Sequence, residues 1–90
     1  NVPTEYSLSQ TYPNTFNPVT KINFALPKDG FVKISIYDVL GREINTLVNE
    51  VKIAGYYSVD FDATTLNSGV YFYKLESGSF SDIKRMILVK

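Results

Sequence analysis

Two carboxylates, two residues apart, are the first residues in this sequence that could do chemistry. Asp60 and Asp62 lie in the stretch YYSVDFD, whose period of two predicts a strand. On one strand face they would stand about 6.5–7 Å apart, and glycosidases and calcium sites both use neighbouring carboxylates. A calcium loop needs more oxygens, and Asp38 is the only other obvious donor. The alternative is a solvated face, because a strand that points Tyr57, Val59 and Phe61 into a core must carry polar residues outward.

The sequence lacks the residues that most other catalytic sites require. The sequence contains no His and no Cys, which excludes a Ser-His-Asp triad, a Cys-His pair, a zinc site built on those ligands, and disulfides. A phosphate-binding loop needs clustered glycines, whereas the turns here hold isolated ones, namely Gly41, Gly55, Gly69 and Gly78. The sequence therefore predicts no catalytic residue, no metal site and no cofactor.

Charge and hydropathy argue against two classes of partner. Nine basic and nine acidic residues cancel, so no positive field favours nucleic acid or an anionic membrane surface. Lys84 and Arg85 form the only adjacent basic pair, which suits the polar positions of a strand. Tyr37, Tyr56 and Phe72 are candidates for stacking on a sugar, although single surface aromatics are common. No transmembrane segment or signal peptide is recognisable, so we expect any leader to lie outside this chain.

Short segments of alternating apolar and polar residues, separated by turns, dominate the chain. They are a stretch near Tyr6-Ser7-Leu8, then TKINFAL, FVKISIYD, REINTLV, YYSVDFD, GVYFYKLE and FSDIKRMILVK. About seven strands at 8–12-residue spacing, without a helical period, predict an all-β fold, an immunoglobulin-like antiparallel β-sandwich. We expect one domain, in which the sandwich occupies residues 20–90.

The stretch LNSGVY resembles a tyrosine corner, in which a Tyr at the start of the sixth strand turns its ring into the core. Tyr71 is the candidate, its hydroxyl bonding to backbone upstream, and Tyr73 would share its inward face. Earlier in the chain, DVLG closes a hairpin in which Gly41 is free to take a positive φ.

The stretch QTYPNTFNP belongs to an expected N-terminal strap, residues 1–19, that also contains a short first strand. Pro13 and Pro18 fix φ and bias the preceding residues towards extended geometry. Tyr12 and Phe16 would then cover the open end of the sandwich. The alternative is a disordered linker without contacts.

Three stretches, TYPNTFNPVTKINFALP, VKISIYDVLGREINTL and LNSGVYFYKLESGSFSDIKRMILVK, together resemble the type A C-terminal sorting domain of the bacterial type IX (Por) secretion system. That family shows a Tyr-Pro-Asn-Pro-Phe-Asn-Pro strap, an aromatic-Asp-x-x-Gly-Arg hairpin, a Gly-x-Tyr-x-x-(Lys/Arg)-Leu strand, and a terminal basic-then-apolar strand. All four are present in order, from about Ser7 to Lys90, with Thr15 where Pro is usual. The matching hairpin residues are Asp38, Gly41 and Arg42.

The resemblance implies a sorting signal rather than an enzyme. It implies a cargo domain N-terminal to this one in the same chain, recognition by outer-membrane components of the export machinery, and removal by a sortase-like peptidase. The cargo would be exported and either kept at the cell surface or released. The alternative from another class is an immunoglobulin-like structural or adhesive module of a secreted protein, carbohydrate binding included.

We expect recognition to fall on the terminal strand, which has Met86 and Leu88 on one face and Ile87 and Val89 on the other. An edge strand should be less apolar unless another surface covers it. The hypothesis names as the recognised element Lys84, Arg85, Met86, Ile87, Leu88, Val89 and Lys90. Gly69, Tyr71 and the Gly41-Arg42 hairpin would hold the sandwich that presents it. The alternative is that this strand is central and merely buried.

Overall fold

The computed structural model describes residues 2–9, 15–16 and 18–89, and these form two packed β-sheets. The strands are β1 (Ser7–Leu8), β2 (Thr15–Phe16), β3 (Val19–Leu26), β4 (Gly30–Tyr37), β5 (Glu43–Lys52), β6 (Gly55–Asp62), β7 (Gly69–Ser77) and β8 (Phe80–Leu88). One sheet has the order β1-β3-β6 and the other β2-β8-β7-β4-β5. The predicted all-β, immunoglobulin-like sandwich is therefore confirmed. Within the described ranges there is no helix that could span a membrane.

The N-terminal strands tie the two sheets together. Strand β1 pairs antiparallel with β3, whereas β2 pairs in parallel with β8, with Thr15 opposite Ile87. The sequence predicts a short strand near β1, whereas it assigns the residues of β2 to the extended strap rather than to a paired strand. Pro18 follows, and its carbonyl accepts a hydrogen bond of 3.0 Å from the Ala63 amide. The predicted strap residues Tyr12 and Pro13, and the ring of Phe16, lie outside the described residues.

Strand β7 shows most clearly how alternation builds the core. It pairs antiparallel with β4 along one edge and with β8 along the other. These two pairings fix which of its residues point to each face of the sheet. Tyr71, Tyr73 and Leu75 are buried, and Phe72 and Lys74 face outward, as the period of two predicts. The same alternation on the other strands buries Leu8, Ile22, Phe24, Leu26, Val32, Ile34, Ile36, Phe61, Met86 and Leu88.

Two tyrosine hydroxyls on β7 connect this core to backbone elsewhere. The Tyr71 hydroxyl donates a hydrogen bond of 2.7 Å to the carbonyl of Asn67, four residues upstream, which is the bond of a tyrosine corner. The Tyr73 hydroxyl donates one of 2.6 Å to the carbonyl of Ser9, just after β1. This second bond joins the larger sheet to the N-terminal segment, and the side chain that makes it is fully buried.

Replacing Tyr73 with Phe should lower the free energy of unfolding by about 1–2 kcal/mol, because the ring remains but the Ser9 carbonyl loses its partner. Urea unfolding of the chain measures this change. Tyr56→Phe is the matched control, since its ring is exposed and loss of its hydroxyl should change stability by less than about 0.5 kcal/mol. Equal stability of the Tyr73 variant and the unaltered chain would show that the bond between the sheets contributes nothing.

Candidate functional site

Strand β8 is attached to the sandwich along one edge and through one face. It pairs antiparallel with β7 over its whole length, from Gly69 opposite Leu88 to Ser77 opposite Phe80. The turn between the two strands contains Gly78 at a φ of +60°, a conformation that favours glycine. Met86 and Leu88 are fully buried in the core. One face of the strand therefore serves folding, and the opposite face remains accessible.

The second edge of β8 is only partly covered. Strand β2 pairs with it at Ile87 and Leu88. Among residues 2–9, 15–16 and 18–89, no strand pairs with residues 80–86 along that edge. Strand β8 is therefore neither a fully open edge strand nor a central strand that is sealed along its length.

The residues predicted to be recognised divide between the two faces of β8. Lys84 lies on the core side, but its side chain is only partly buried, and its ammonium lies 3.9 Å from the Asp82 carboxylate. Charges on the inner side of an edge strand discourage pairing with foreign strands. The residues on the outer side are Arg85, Ile87 and Val89, the last being 46% exposed. Lys90 lies outside the described residues.

The outer face of the five-stranded sheet carries apolar side chains beside β8. Phe72 lies between Tyr37 and Arg85 across the strands, and Lys74 is the cross-strand partner of Ile83, which is 55% exposed. A shallow groove of about 280 Å³ runs over these residues and reaches the hairpin between β4 and β5. We call it the outer-face groove, and it is lined by Tyr37, Asp38, Val39, Gly41, Phe72, Lys74 and Ile83.

The hairpin residues Asp38, Gly41 and Arg42 bond mainly to one another. One oxygen of the Asp38 carboxylate accepts hydrogen bonds from the amides of Leu40 and Arg42, and the other accepts one from the Arg42 guanidinium at 2.9 Å. The Arg42 amide lowers the pKa of Asp38 below its ordinary 3.8, and the Arg42 guanidinium and Leu40 amide add to this effect, which outweighs the opposing effect of burial. The three residues thus order the hairpin itself.

The candidate carboxylate pair has local structural partners. Asp60 forms an exposed ion pair of 3.4 Å with Lys21 on the neighbouring strand, and Asp62 accepts a hydrogen bond of 3.0 Å from the Thr64 amide in the next turn. In the part of the chain that the structure describes, no three acidic residues come close enough to hold a metal ion. These contacts support the solvated-face interpretation of the pair.

The aromatic residues proposed for sugar stacking do not form one platform. Tyr37 and Phe72 are neighbours on the five-stranded sheet, whereas Tyr56 lies on β6 in the other sheet. The sequence did not indicate that Val39 and Leu40 would stand at the exposed end of the β4–β5 hairpin. Their apolar character offered the only signal, and the prediction of a turn there obscured it.

The described residues form a small β-sandwich that displays the outer face of its last strand. Residues 10–90 match the family described as "Secretion system C-terminal sorting domain". The chain therefore belongs to that family, which confirms the resemblance found in the sequence. No curated protein matches the chain.

Membership defines the function at a coarse level. The domain is a C-terminal sorting signal for type IX secretion. Such domains are non-catalytic in general, interact with the type IX machinery, and belong to exported proteins.

The Asp38 carboxylate should keep its charge to a lower pH than an ordinary Asp. Because its pKa in the folded chain is lowered, its stabilisation of the hairpin is fully present above pH 3.8 and is lost as the pH falls through the lower, folded-state pKa. In an NMR titration, the amide shifts of Leu40 and Arg42 should report a midpoint below 3.8. A midpoint at or above that value would contradict the bonded hairpin.

Proposed function

We propose that the type IX export machinery recognises this domain through the terminal segment 84–90, and that it contacts the outward-facing side chains Arg85, Ile87 and Val89. The observation that carries the proposal is the division of β8 into a buried row and an accessible row. Arg85, Ile87 and Val89 belong to the accessible row, with the exposed Ile83 beside them. Met86 and Leu88 fix the strand in the core.

Contact from the outer face leaves the fold intact. Covering an exposed aliphatic side chain such as Ile83 contributes roughly 1.5–3 kcal/mol when its burial is complete. A partner that gripped Met86 or Leu88 would instead have to open the core, at a cost of about 2–5 kcal/mol for each side chain.

The finer parts of this proposal follow from the family. The partners are outer-membrane components of the export machinery, together with a sortase-like peptidase that detaches the domain from the cargo preceding it. The cargo then stays at the cell surface or is released. We propose that the domain is non-catalytic, as its family is in general; the carboxylates of Asp60 and Asp62 are engaged in an ion pair and a turn. Residues 1–19 and 20–90 act as one unit, because β1 and β2 pair with sandwich strands.

Substitutions test this proposal better than truncation. Removing residues 86–90 would delete two core side chains, so a loss of export could simply report unfolding. Exchanging Ile83 and Val89 for Thr removes apolar surface while keeping β-branched side chains that suit a strand. The matched control exchanges Val19 and Ile53, which are also exposed but lie away from β8.

In a host with this export system, a leader-bearing reporter fused to the whole chain should reach the cell exterior. The Ile83→Thr/Val89→Thr fusion should be exported about tenfold less, corresponding to roughly 1.4 kcal/mol of lost interaction. The control fusion should be exported normally, and both should unfold within about 2 °C of the unaltered chain. Retention of the unaltered fusion in the periplasm would falsify the sorting function. Normal export of the β8 variant would refute the proposed surface alone.

A further inference from the structure

The hairpin between β4 and β5 displays two bulky apolar side chains to solvent. Val39 is 66% exposed and Leu40 is 72% exposed, and neither belongs to the hydrophobic core. Single exposed aliphatic residues are common on soluble domains, so exposure alone carries no conclusion. Two adjacent ones at the end of a hairpin contribute nothing to the core of the sandwich.

A network of hydrogen bonds fixes the backbone conformation of this hairpin. Five hydrogen bonds close residues 38–42 on themselves, three of them to the Asp38 carboxylate. The other two run from the Gly41 amide to the Asp38 carbonyl and from the Asp38 amide to the Arg42 carbonyl, each at 3.0 Å. Gly41 adopts a φ of +82°, which a residue with a side chain rarely takes.

These bonds hold the backbone that carries Val39 and Leu40 while leaving both side chains in water. A two-residue Asn-Gly turn would join the strands with polar residues alone. The five-residue arrangement is therefore not required for closing the hairpin. Its distinctive result is a fixed presentation of two apolar side chains.

We propose that Val39 and Leu40, together with the outer-face groove, form a second recognition surface that inserts into an apolar pocket on a protein of the export machinery. The identity of that partner rests on the proposed function. The groove connects the hairpin with the terminal strand, because it runs from Val39 past Phe72 to Ile83 on β8. One partner can therefore contact the hairpin and the outer face of the terminal strand together.

A protein pocket fits this surface better than a lipid bilayer does. A hairpin that is already ordered before binding loses less conformational entropy when it binds. This gain requires a partner whose binding site matches the fixed shape of the hairpin. A bilayer is fluid and has no such shape. The chain also has a formal net charge of zero, so anionic lipid would not attract it, and two aliphatic side chains alone anchor weakly.

The test compares two double variants of the full-chain reporter fusion in the exporting host. Val39→Ser/Leu40→Ser removes the apolar end of the hairpin. Val51→Ser/Ile53→Ser is the matched control, since these residues are 71% and 70% exposed and lie outside the hairpin and the groove. We expect about tenfold less export for the hairpin variant, export within twofold for the control, and similar thermal unfolding of both.

A third variant separates the effect of the hydrogen-bonded hairpin backbone from the effect of its apolar side chains. Asp38→Ala leaves Val39 and Leu40 in place but removes three hydrogen bonds of the hairpin. We expect its export to fall as well, and undiminished export would overturn the role of the ordered backbone. Normal export of the hairpin variant, or an equal loss in the control, would overturn the second surface itself.

Two further outcomes identify failures elsewhere. If the unaltered fusion stays in the periplasm, the sorting function fails, and with it the proposed partner. If the unaltered chain sediments with phosphatidylethanolamine–phosphatidylglycerol vesicles and the hairpin variant does not, the occupant is a lipid surface, and the protein pocket is refuted. Absence of sedimentation by both, with the export defect present, supports the proposal.

Discussion

Strand β7 is paired along both of its edges, and the rest of the molecule depends on that double pairing. Its contacts with β4 and β8 fix the register of three strands at once. A shift of one residue would turn Tyr71, Tyr73 and Leu75 outward and place Phe72 and Lys74 in the core. Because β8 takes its register from β7, the same constraint decides which residues of the terminal strand face the core and which face outward, where we propose that a partner binds.

The sequence predicted the parts of the fold that leave a local signal. The alternation on β3, β6 and β7 predicted most of their buried residues, although Ala25, which it placed outward, is buried as well. The stretch from Leu66 to Tyr71 indicated the tyrosine corner. The parallel pairing of β2 with β8 left no such signal. Strand β2 has only two residues, and they pair with residues about 70 positions later in the chain, from Thr15 to Ile87. The bond from Tyr73 to Ser9 likewise depends on the packing of one sheet over the other.

The sequence led to a hypothesis about the terminal strand but could not give its place in the sheet. An apolar terminal strand indicated that one of its faces would contact a partner, yet the sequence could not decide between an edge and a central location. Among the described residues the arrangement is intermediate, because β2 pairs with β8 at Ile87 and Leu88. The apolar end of the β4–β5 hairpin was missed, since turn residues are ordinarily judged by their backbone conformation rather than by what their side chains display.

The central claim is that the outer face of β8 is contacted while the core beneath it stays closed. Because the chain contains no Cys, Ile83→Cys and Ser58→Cys each introduce a unique thiol, on the five-stranded and the three-stranded sheet respectively. Maleimide labelling of the reporter fusion during export tests the claim most directly. The account predicts slower labelling at position 83 than at position 58 only when the export machinery is present. Equal labelling at both positions, with and without the machinery, would contradict it.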